Sequence, residues 1–411
     1  MFDLPPNTPD DPSGGDAMPD PVTLDSLVLR WQVLVGRDRR PKGVRLELRR
    51  RTEASPLPLS TLLDGVVRGF VEDGSTPFPH GLVLLAPVQG AIDAAMSLWT
   101  APRNVLLEIP AQDLQDEARA RILFESRRQG VRQALRVQDA MPARERVQFF
   151  HYLVGPSSAV KRASIPVLAL DSDTATRAEA ALAAGAHALV GWPLSVPIEN
   201  SPHEFSPSQR AIFELVRLIR ADADVRALER VFEAEPLLAY MLLTLANSVA
   251  FRRGTPTASL RQAVASIGYQ RLMKWLILML AISTKDRRIA PLIYTTLVRG
   301  YCMENLCLAA GRPQNEADEC FIVGAFSLLD KITGQPLDAL LGEVGLPQVV
   351  VDGLLAAAGP YAPYRAVVLS LEADDAQAHR QACLTLPVDA DAVNRSLLRA
   401  IAAADAMLSL M

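Results

Sequence analysis

The chain changes its hydrophobic periodicity once, near residue 200, and this change constrains the fold more than any other feature. Before it, short apolar, β-branched stretches alternate with helical ones. LVLRWQVLV and VRLELR read as strands joined by a basic turn, DRRPKG. STLLDGVVRGF reads as a helix, GLVLLA as a strand, IDAAMSLW as a helix and NVLLEI as a strand. A helical run, LQDEARARILFESRRQ, turns at Gly130 into the extended stretch GVRQALRVQD. FFHYLVG, IPVLAL and HALVG follow as strands, with TATRAEAALAAGA a helix before the last. Strands alternating with helices predict a parallel, barrel-like α/β domain of the TIM type. The span of about 175 residues leaves open whether such a barrel closes.

The segment WPLSVPIENSPHEFSPSQ, residues 192–209, is rich in Pro and Ser and marks the boundary. It ends in a helix start, with Ser206 as N-cap and Pro207 at the first helical position. Beyond it the pattern is helical. Ile212, Leu215, Val216 and Ile219 form one apolar stripe. Ser259 and Gln262 make a capping-box pattern, and Gly268 is a natural stop. YQRLMKWLILMLAI is apolar nearly all round, which predicts a buried central helix. The expected organisation is a disordered tail over residues 1–22, a barrel domain over 23–200 and a helical domain over 201–411.

Composition narrows the function classes. Lys and Arg number 42 against 46 Asp and Glu, so the net charge of −4 provides no global basic field for nucleic acid or acidic lipid. The acidic start MFDLPPNTPDDPSGGDAMPDP lacks the basic and apolar regions of a signal peptide. The run WLILMLAI is far shorter than the roughly 20 residues that span a bilayer. Cys302, Cys307, Cys320 and Cys383 include no C-x-x-C pair, which suits reduced core thiols in a cytoplasmic protein. No Gly-rich phosphate fingerprint follows any strand. The basic cluster Arg37–Arg51 has no interleaved aromatics and reads as a solvated hairpin. The stretch SLRQAVASIGYQRLMKWLIL lacks the exposed polar face of a DNA-reading helix. Asn247 and Ser248, ending an apolar helix, read as capping or packing residues.

Three stretches of the helical half, EPLLAYMLLTLANSVAF, ASLRQAVASIGYQRLMKWLILML and FIVGAFSLLDKITGQPLDALL, occur in order over roughly 150 residues. Together they resemble an HDOD domain, a helical relative of the HD phosphohydrolases found in bacterial signalling proteins. An HD hydrolase needs His and Asp metal ligands. This half has only His203 and His379, and no His-Asp dipeptide, which fits HDOD domains.

HDOD domains of this kind are often preceded by an EAL domain, a barrel that hydrolyses cyclic di-GMP, and the first half is similar to a degenerate EAL domain. RWQVLVGRDRRPKGVRLELRRR resembles its opening strand and turn, NVLLEIP its strand with an inward metal-binding Glu, and GVRQALRVQD the strand ending Ala-Leu-Asp-Asp-Phe. IPVLALDSDTATRAEAALAAGAHALVGWPLSVP resembles its last two strands. The resemblance implies these positions for the metal site: Arg45 where Glu is expected, Glu108 retained, Arg136 and Val137 in place of an Asp pair, Leu153 for Lys, Leu170 for Glu and Val190 for Gln. An Asn ligand would fall near Leu85 or Ala86. One retained carboxylate does not hold the two cations that the hydrolysis requires, and added arginines repel them.

Arg45, Glu47 and Arg49 share one strand face. Three readings stay open for them: internal charge pairing, a metal-free anion site formed by Arg45, Arg49 and Arg136, and a disordered or covered mouth. A further reading makes Asp139 a displaced member of the missing Asp pair. The expectation is a non-catalytic bacterial signalling protein that acts through protein contacts, in control of motility, pili or biofilm. It requires no cofactor or metal, binds no nucleic acid and inserts in no membrane. The alternative is a metal-independent receptor for cyclic di-GMP or another anion, and the family resemblance allows a homodimer.

Overall fold

The computed structural model describes residues 22–52, 57–71, 74, 77–88, 92–138, 144–170, 172–194, 207–247, 257, 259–282, 287–344 and 346–409. Eight strands close into a barrel in sequential order. They are β1 (Leu27–Gly36), β2 (Pro41–Arg50), β3 (Leu82–Pro87), β4 (Val105–Pro110), β5 (Arg132–Arg136), β6 (Tyr152–Gly155), β7 (Val167–Ala169) and β8 (Ala188–Val190). Strands β2 to β8 run parallel, whereas β1 is antiparallel to both of its neighbours, β2 and β8. The barrel is therefore not wholly parallel. The short turn between β1 and β2 suffices for a hairpin, but a parallel pair needs a crossover of a dozen residues or more. Gly43 lets β3 approach β2, since a Cβ there would meet the Leu82 carbonyl oxygen at 1.9 Å.

The stretch IDAAMSLW forms only a 3₁₀ turn over Ala94–Ser97 rather than a helix. Asp93 anchors this turn by accepting hydrogen bonds from Ser60 N and Ser60 Oγ, both at 3.1 Å. A tertiary contact thus captures a segment too short to gain much from helix propagation.

Strand alternation sorts the barrel residues onto two faces. Leu34, Leu84, Leu106, Ala134, Val154, Leu168, Ala188 and Val190 fill the interior. On the outer face of β1, Leu27, Leu29, Trp31, Val33 and Val35 are buried. The β1–β2 hairpin has no crossover helix to cover that face. Helices Ala290–Ala309 and Ala390–Ser409, from the far end of the chain, cover it instead. Trp31 meets Tyr294 edge-on with ring centroids 6.2 Å apart, and Trp31 N donates to Leu371 O at 3.0 Å. The Asn394 side chain accepts from Leu29 N at 3.1 Å and donates to Leu24 O and Leu27 O at 2.9 Å each.

The last strand ends at Val190 and the first helix of the second half starts at Pro207. Ser206 and most of the Pro- and Ser-rich segment lie outside the described residues, as do residues 1–21. Ile212, Leu215, Val216 and Ile219 are buried as one stripe. Ser259 caps the Leu260–Ile267 helix by accepting from Gln262 N, and Gly268 ends it at φ 81°. Asn247 ends the Pro236–Ala246 helix and pairs with the Thr257 backbone through two 2.8 Å hydrogen bonds; Ser248 lies outside the described residues.

The centre of the helical half differs from the expectation. In Tyr269–Ile282, Leu272, Met273, Trp275, Leu276 and Met279 are buried, but Arg271 is exposed. The Ala290–Ala309 helix is the more enclosed: fifteen of its twenty residues are buried, Thr295, Thr296, Arg299 and Glu304 among them. Its polar side chains hide this from periodicity, because Thr295 and Thr296 bond within the helix while Arg299 and Glu304 find partners on other segments. Arg299, for example, forms a two-point pair with Glu372 at 2.7 and 2.6 Å. A Cβ at Gly324 would lie 2.6 Å from the Arg299 backbone, so the neighbouring helix Gln314–Phe326 crosses in direct backbone contact. Among the described residues no helix is long and apolar enough to cross a membrane.

Replacing Asn394 by Ala strands three buried backbone groups of the barrel's first segment. An equilibrium denaturation experiment is expected to show a loss of about 1–3 kcal/mol, the cost of unsatisfied buried polar groups. A loss below a few tenths of that size would show that the contact is not a structural tie.

Candidate functional site: the charged barrel mouth

Because β2 to β8 are parallel, their C-terminal ends share one rim, where an α/β barrel carries its functional side chains. The antiparallel β1 brings its N-terminal half to the same rim, and the register sets Gln32 opposite Arg45 and Arg30 opposite Glu47. The interior positions of β2 in this region are Arg45, Glu47 and Arg49.

Arg45 and Glu108 form a two-point ion pair inside the barrel. Nε donates to Glu108 Oε2 at 2.7 Å and Nη2 to Oε1 at 2.8 Å. The two residues are 4% and 2% exposed, so both charges are desolvated. The remaining nitrogen, Nη1, donates to Gln32 Oε1 at 3.2 Å and Glu47 Oε2 at 3.4 Å. Burial alone would lower the Arg45 guanidinium, but Glu108, and then Glu47, outweigh it and hold the group above its ordinary value. Arg136 Nη1 stands 3.6 Å from Glu108 Oε1, and its side chain is 33% exposed.

Nearer the rim, Glu47 accepts from Arg30 Nη1 at 3.1 Å and Arg49 Nη2 at 3.0 Å. Its burial would raise the carboxyl, yet Arg30, Arg45 and Arg49 together hold it below the ordinary value of 4.5. A third carboxylate arrives from outside the barrel. Asp374, between helices Ala362–Ser370 and Ala376–Cys383, accepts from Arg30 Nη1 at 2.7 Å and lies 3.6 Å from Arg49 Nη2. Four guanidiniums thus face three carboxylates, one net positive charge at the mouth. The Nε atoms of Arg30 and Arg49 are buried with no hydrogen-bond acceptor among the described residues.

The structure brings Arg45, Arg49, Glu108 and Arg136 together at this rim. Val190 belongs to the barrel interior and Leu170 packs against it. Val137 and Leu153 do not join them, which corrects their assignment to the site. Both face outward into the large apolar core. Alternation explains it: Val137 follows the inward Arg136, and Leu153 pairs in register with Leu135, also in the outer core. Leu85 likewise faces the outer core. Asp139 lies outside the described residues. Sequence reasoning missed Arg30, Gln32 and Asp374. The first two were detectable as polar residues alternating with Leu29, Trp31 and Val33. Asp374 carries no sequence signal, since it reaches the mouth only through docking of the helices.

Two measurements probe this network. Glu108→Ala leaves the buried Arg45 without its main partner and is expected to cost about 3–5 kcal/mol in urea unfolding. The joint replacement Arg45→Met with Glu108→Leu should cost far less, since it removes both charges at similar volume; equal losses for the two variants would contradict the pairing. The second is pH dependence. The folded Glu47 carboxyl titrates below its unfolded value, so its stabilisation is complete above the unfolded value and is lost as pH falls through the folded one. The stability gap between wild type and Glu47→Gln should therefore be constant near neutrality and close in acid.

Comparison with known proteins places these features. The HDOD domain family matches residues 207–333. Over 212 residues the chain is 25% identical to the cyclic di-GMP phosphodiesterase CdgJ of Vibrio cholerae, covering 51% of this chain and 49% of that protein. It is 23% identical over 192 residues to the uncharacterized protein YuxH of Bacillus subtilis, covering 45% and 46%. The chain thus spans about half the length of these curated relatives. Among solved structures, the PaMucR phosphodiesterase in complex with c-di-GMP overlaps 41% of this chain and 91% of its own, at 15% identity and a TM-score of 0.31. The Bacillus subtilis YkuI protein, which has an EAL domain, overlaps 60% and 74%, at 15% identity and a TM-score of 0.32. The chain joins a closed eight-stranded barrel to a helical half whose residues 207–333 are an HDOD domain.

Proposed function

We propose that this protein is a non-catalytic signalling module that works through protein contacts in a cyclic di-GMP-linked pathway controlling motility, pili or biofilm. The observation that carries the reading is the buried Arg45–Glu108 pair. In the EAL-like reading, Glu108 is the retained metal-binding carboxylate. Here both of its oxygens are engaged by one guanidinium, and Arg136 adds a second positive charge at 3.6 Å. A divalent cation at that point would have to displace a bidentate, desolvated partner and remain beside a second arginine. The HDOD half and the similarity to the Vibrio cholerae phosphodiesterase support the signalling context.

A second reading is a metal-independent receptor for cyclic di-GMP or a similar anion. Its support is the partly exposed Arg49 and Arg136 at the rim, together with the unaccepted Nε atoms of Arg30 and Arg49. Guanidiniums suit phosphate through two-point hydrogen bonding. Arg45 takes no part in it as an open ligand, being committed to Glu108.

Incubation of the full chain with cyclic di-GMP and Mg²⁺ or Mn²⁺ is expected to leave the dinucleotide intact by chromatography; a linear product would overturn the non-catalytic reading. Calorimetric titration without metal separates the two remaining readings. Micromolar binding that weakens about tenfold or more in Arg49→Ala establishes the receptor, a loss of about 1.4 kcal/mol or more. Absence of binding leaves the contact module.

A further inference from the structure

Among Glu47, Glu108 and Asp374, only Asp374 reaches the mouth from the helical half. Its neighbours in the chain are tied down on both sides. Before it, Leu371 O accepts from Trp31 N of β1 at 3.0 Å, and Glu372 holds the buried Arg299 through two points, at 2.7 and 2.6 Å. After it, Asp375 caps the Ala376–Cys383 helix, accepting from Gln377 N at 3.0 Å and Ala378 N at 2.9 Å. The backbone of Asp374 is thus fixed beside the mouth, and its freedom lies in its own side chain.

That side chain takes a position suited to a ligand oxygen. Arg30 Nη1 donates to Glu47 Oε1 at 3.1 Å and to Asp374 Oδ1 at 2.7 Å. The same Asp374 oxygen lies 3.6 Å from Arg49 Nη2. One anionic oxygen between two guanidiniums is also how arginines hold a phosphate oxygen. The Asp374 side chain is 75% exposed and that of Arg30 only 14%, so the carboxylate stands on the solvent side of the guanidinium. Charge changes with its position. With Asp374 in place, four guanidiniums face three carboxylates; with it turned away they face two, and the net charge of the mouth rises from +1 to +2. A cyclic dinucleotide, with two phosphodiester charges, is matched only in the second state.

We propose that Asp374 is an internal competitor for the barrel mouth: its carboxylate holds Arg30 and Arg49 in the place of a phosphate oxygen, and a dianion of the cyclic dinucleotide class displaces it. This control rests on the receptor reading of the mouth. In the closed state Asp374 is paired with Arg30; in the open state its side chain turns into water while the ties at Leu371, Glu372 and Asp375 remain. Only the open state binds, so the apparent affinity is the intrinsic one reduced by the open fraction. The coupling is reciprocal. An anion on the arginines frees Asp374 from the barrel, and the helical half loses a polar contact to it.

The test is metal-free calorimetric titration of the full chain with cyclic di-GMP, for wild type, Asp374→Asn, Asp374→Ala and Asp375→Asn. Both Asp374 variants are expected to bind at least about fivefold more tightly than wild type, because the open fraction no longer limits them. Asp375→Asn removes the same charge one residue away and keeps a side chain that caps the helix. At physiological ionic strength it should bind within about twofold of wild type, since the field of an exposed charge is screened. Thermal melts establish that each variant is folded. Equal binding by wild type and the Asp374 variants overturns the competitor and leaves the receptor reading standing. Equal tightening in Asp375→Asn also overturns it, by showing that net charge suffices. Absence of binding in all four proteins overturns both.

Discussion

The rest of this structure depends on one unpartnered surface, the outer apolar face of β1. A parallel strand in an α/β barrel is covered by the helix that leads to the next strand, but a hairpin has none. Leu27, Leu29, Trp31, Val33 and Val35 are each at most 4% exposed. Leaving five such side chains in water would cost on the order of 10 kcal/mol at about 1.5–3 kcal/mol each, comparable to the net stability of a domain. Helices Ala290–Ala309 and Ala390–Ser409 supply the cover, so barrel and helices share one continuous apolar core. That docking also carries Asp374 to the barrel mouth.

Inside the barrel a different constraint operates. Arg45 and Glu108 are both almost wholly removed from water, and each isolated charge would cost several kcal/mol. The two-point geometry, with Gln32 and Glu47 taking the remaining nitrogen, offsets that cost. The pair adds little net stability over an apolar core, but its loss on one side is expensive. Around it Glu47 is shared by Arg30, Arg45 and Arg49. The network therefore links β1, β2, β4 and β5, and Asp374 extends it to the helical half. Asp374 is the most exposed of its carboxylates, with 75% of its side chain in solvent.

Much of the fold was legible because local rules agreed with the tertiary outcome. Apolar runs bounded by turn residues gave the strands, and Ser259, Gln262 and Gly268 gave both ends of one helix. The errors were also physical. IDAAMSLW carried helical periodicity, but the Asp93–Ser60 anchor holds it as a 3₁₀ turn. The Ala290–Ala309 helix carried too many polar residues to look central, although partners such as Glu372 satisfy them. At the site, Arg45, Arg49, Glu108 and Arg136 were reached by a family resemblance and strand alternation. Val137 and Leu153 came from the same resemblance, and alternation turns them outward. Arg30 was open to the same logic of period two. Asp374 was not, because it lies 344 residues from Arg30 and no local pattern connects them.

By itself the sequence determined the class of each half, the strand and helix order, and the presence of charges on an inward strand face. These are consequences of periodicity and of residue chemistry, which act over a few residues. Only the tertiary structure decided that the barrel closes and that β1 also runs against β8. It also decided that Arg45 is consumed by Glu108 rather than offered to a ligand, because pair geometry depends on strands 63 residues apart in the chain. The same holds for Asp374, which reaches Arg30 and Arg49 only because the helices dock on the barrel. Chemistry at such a point is set by what the fold brings within hydrogen-bond distance, and that information is not local.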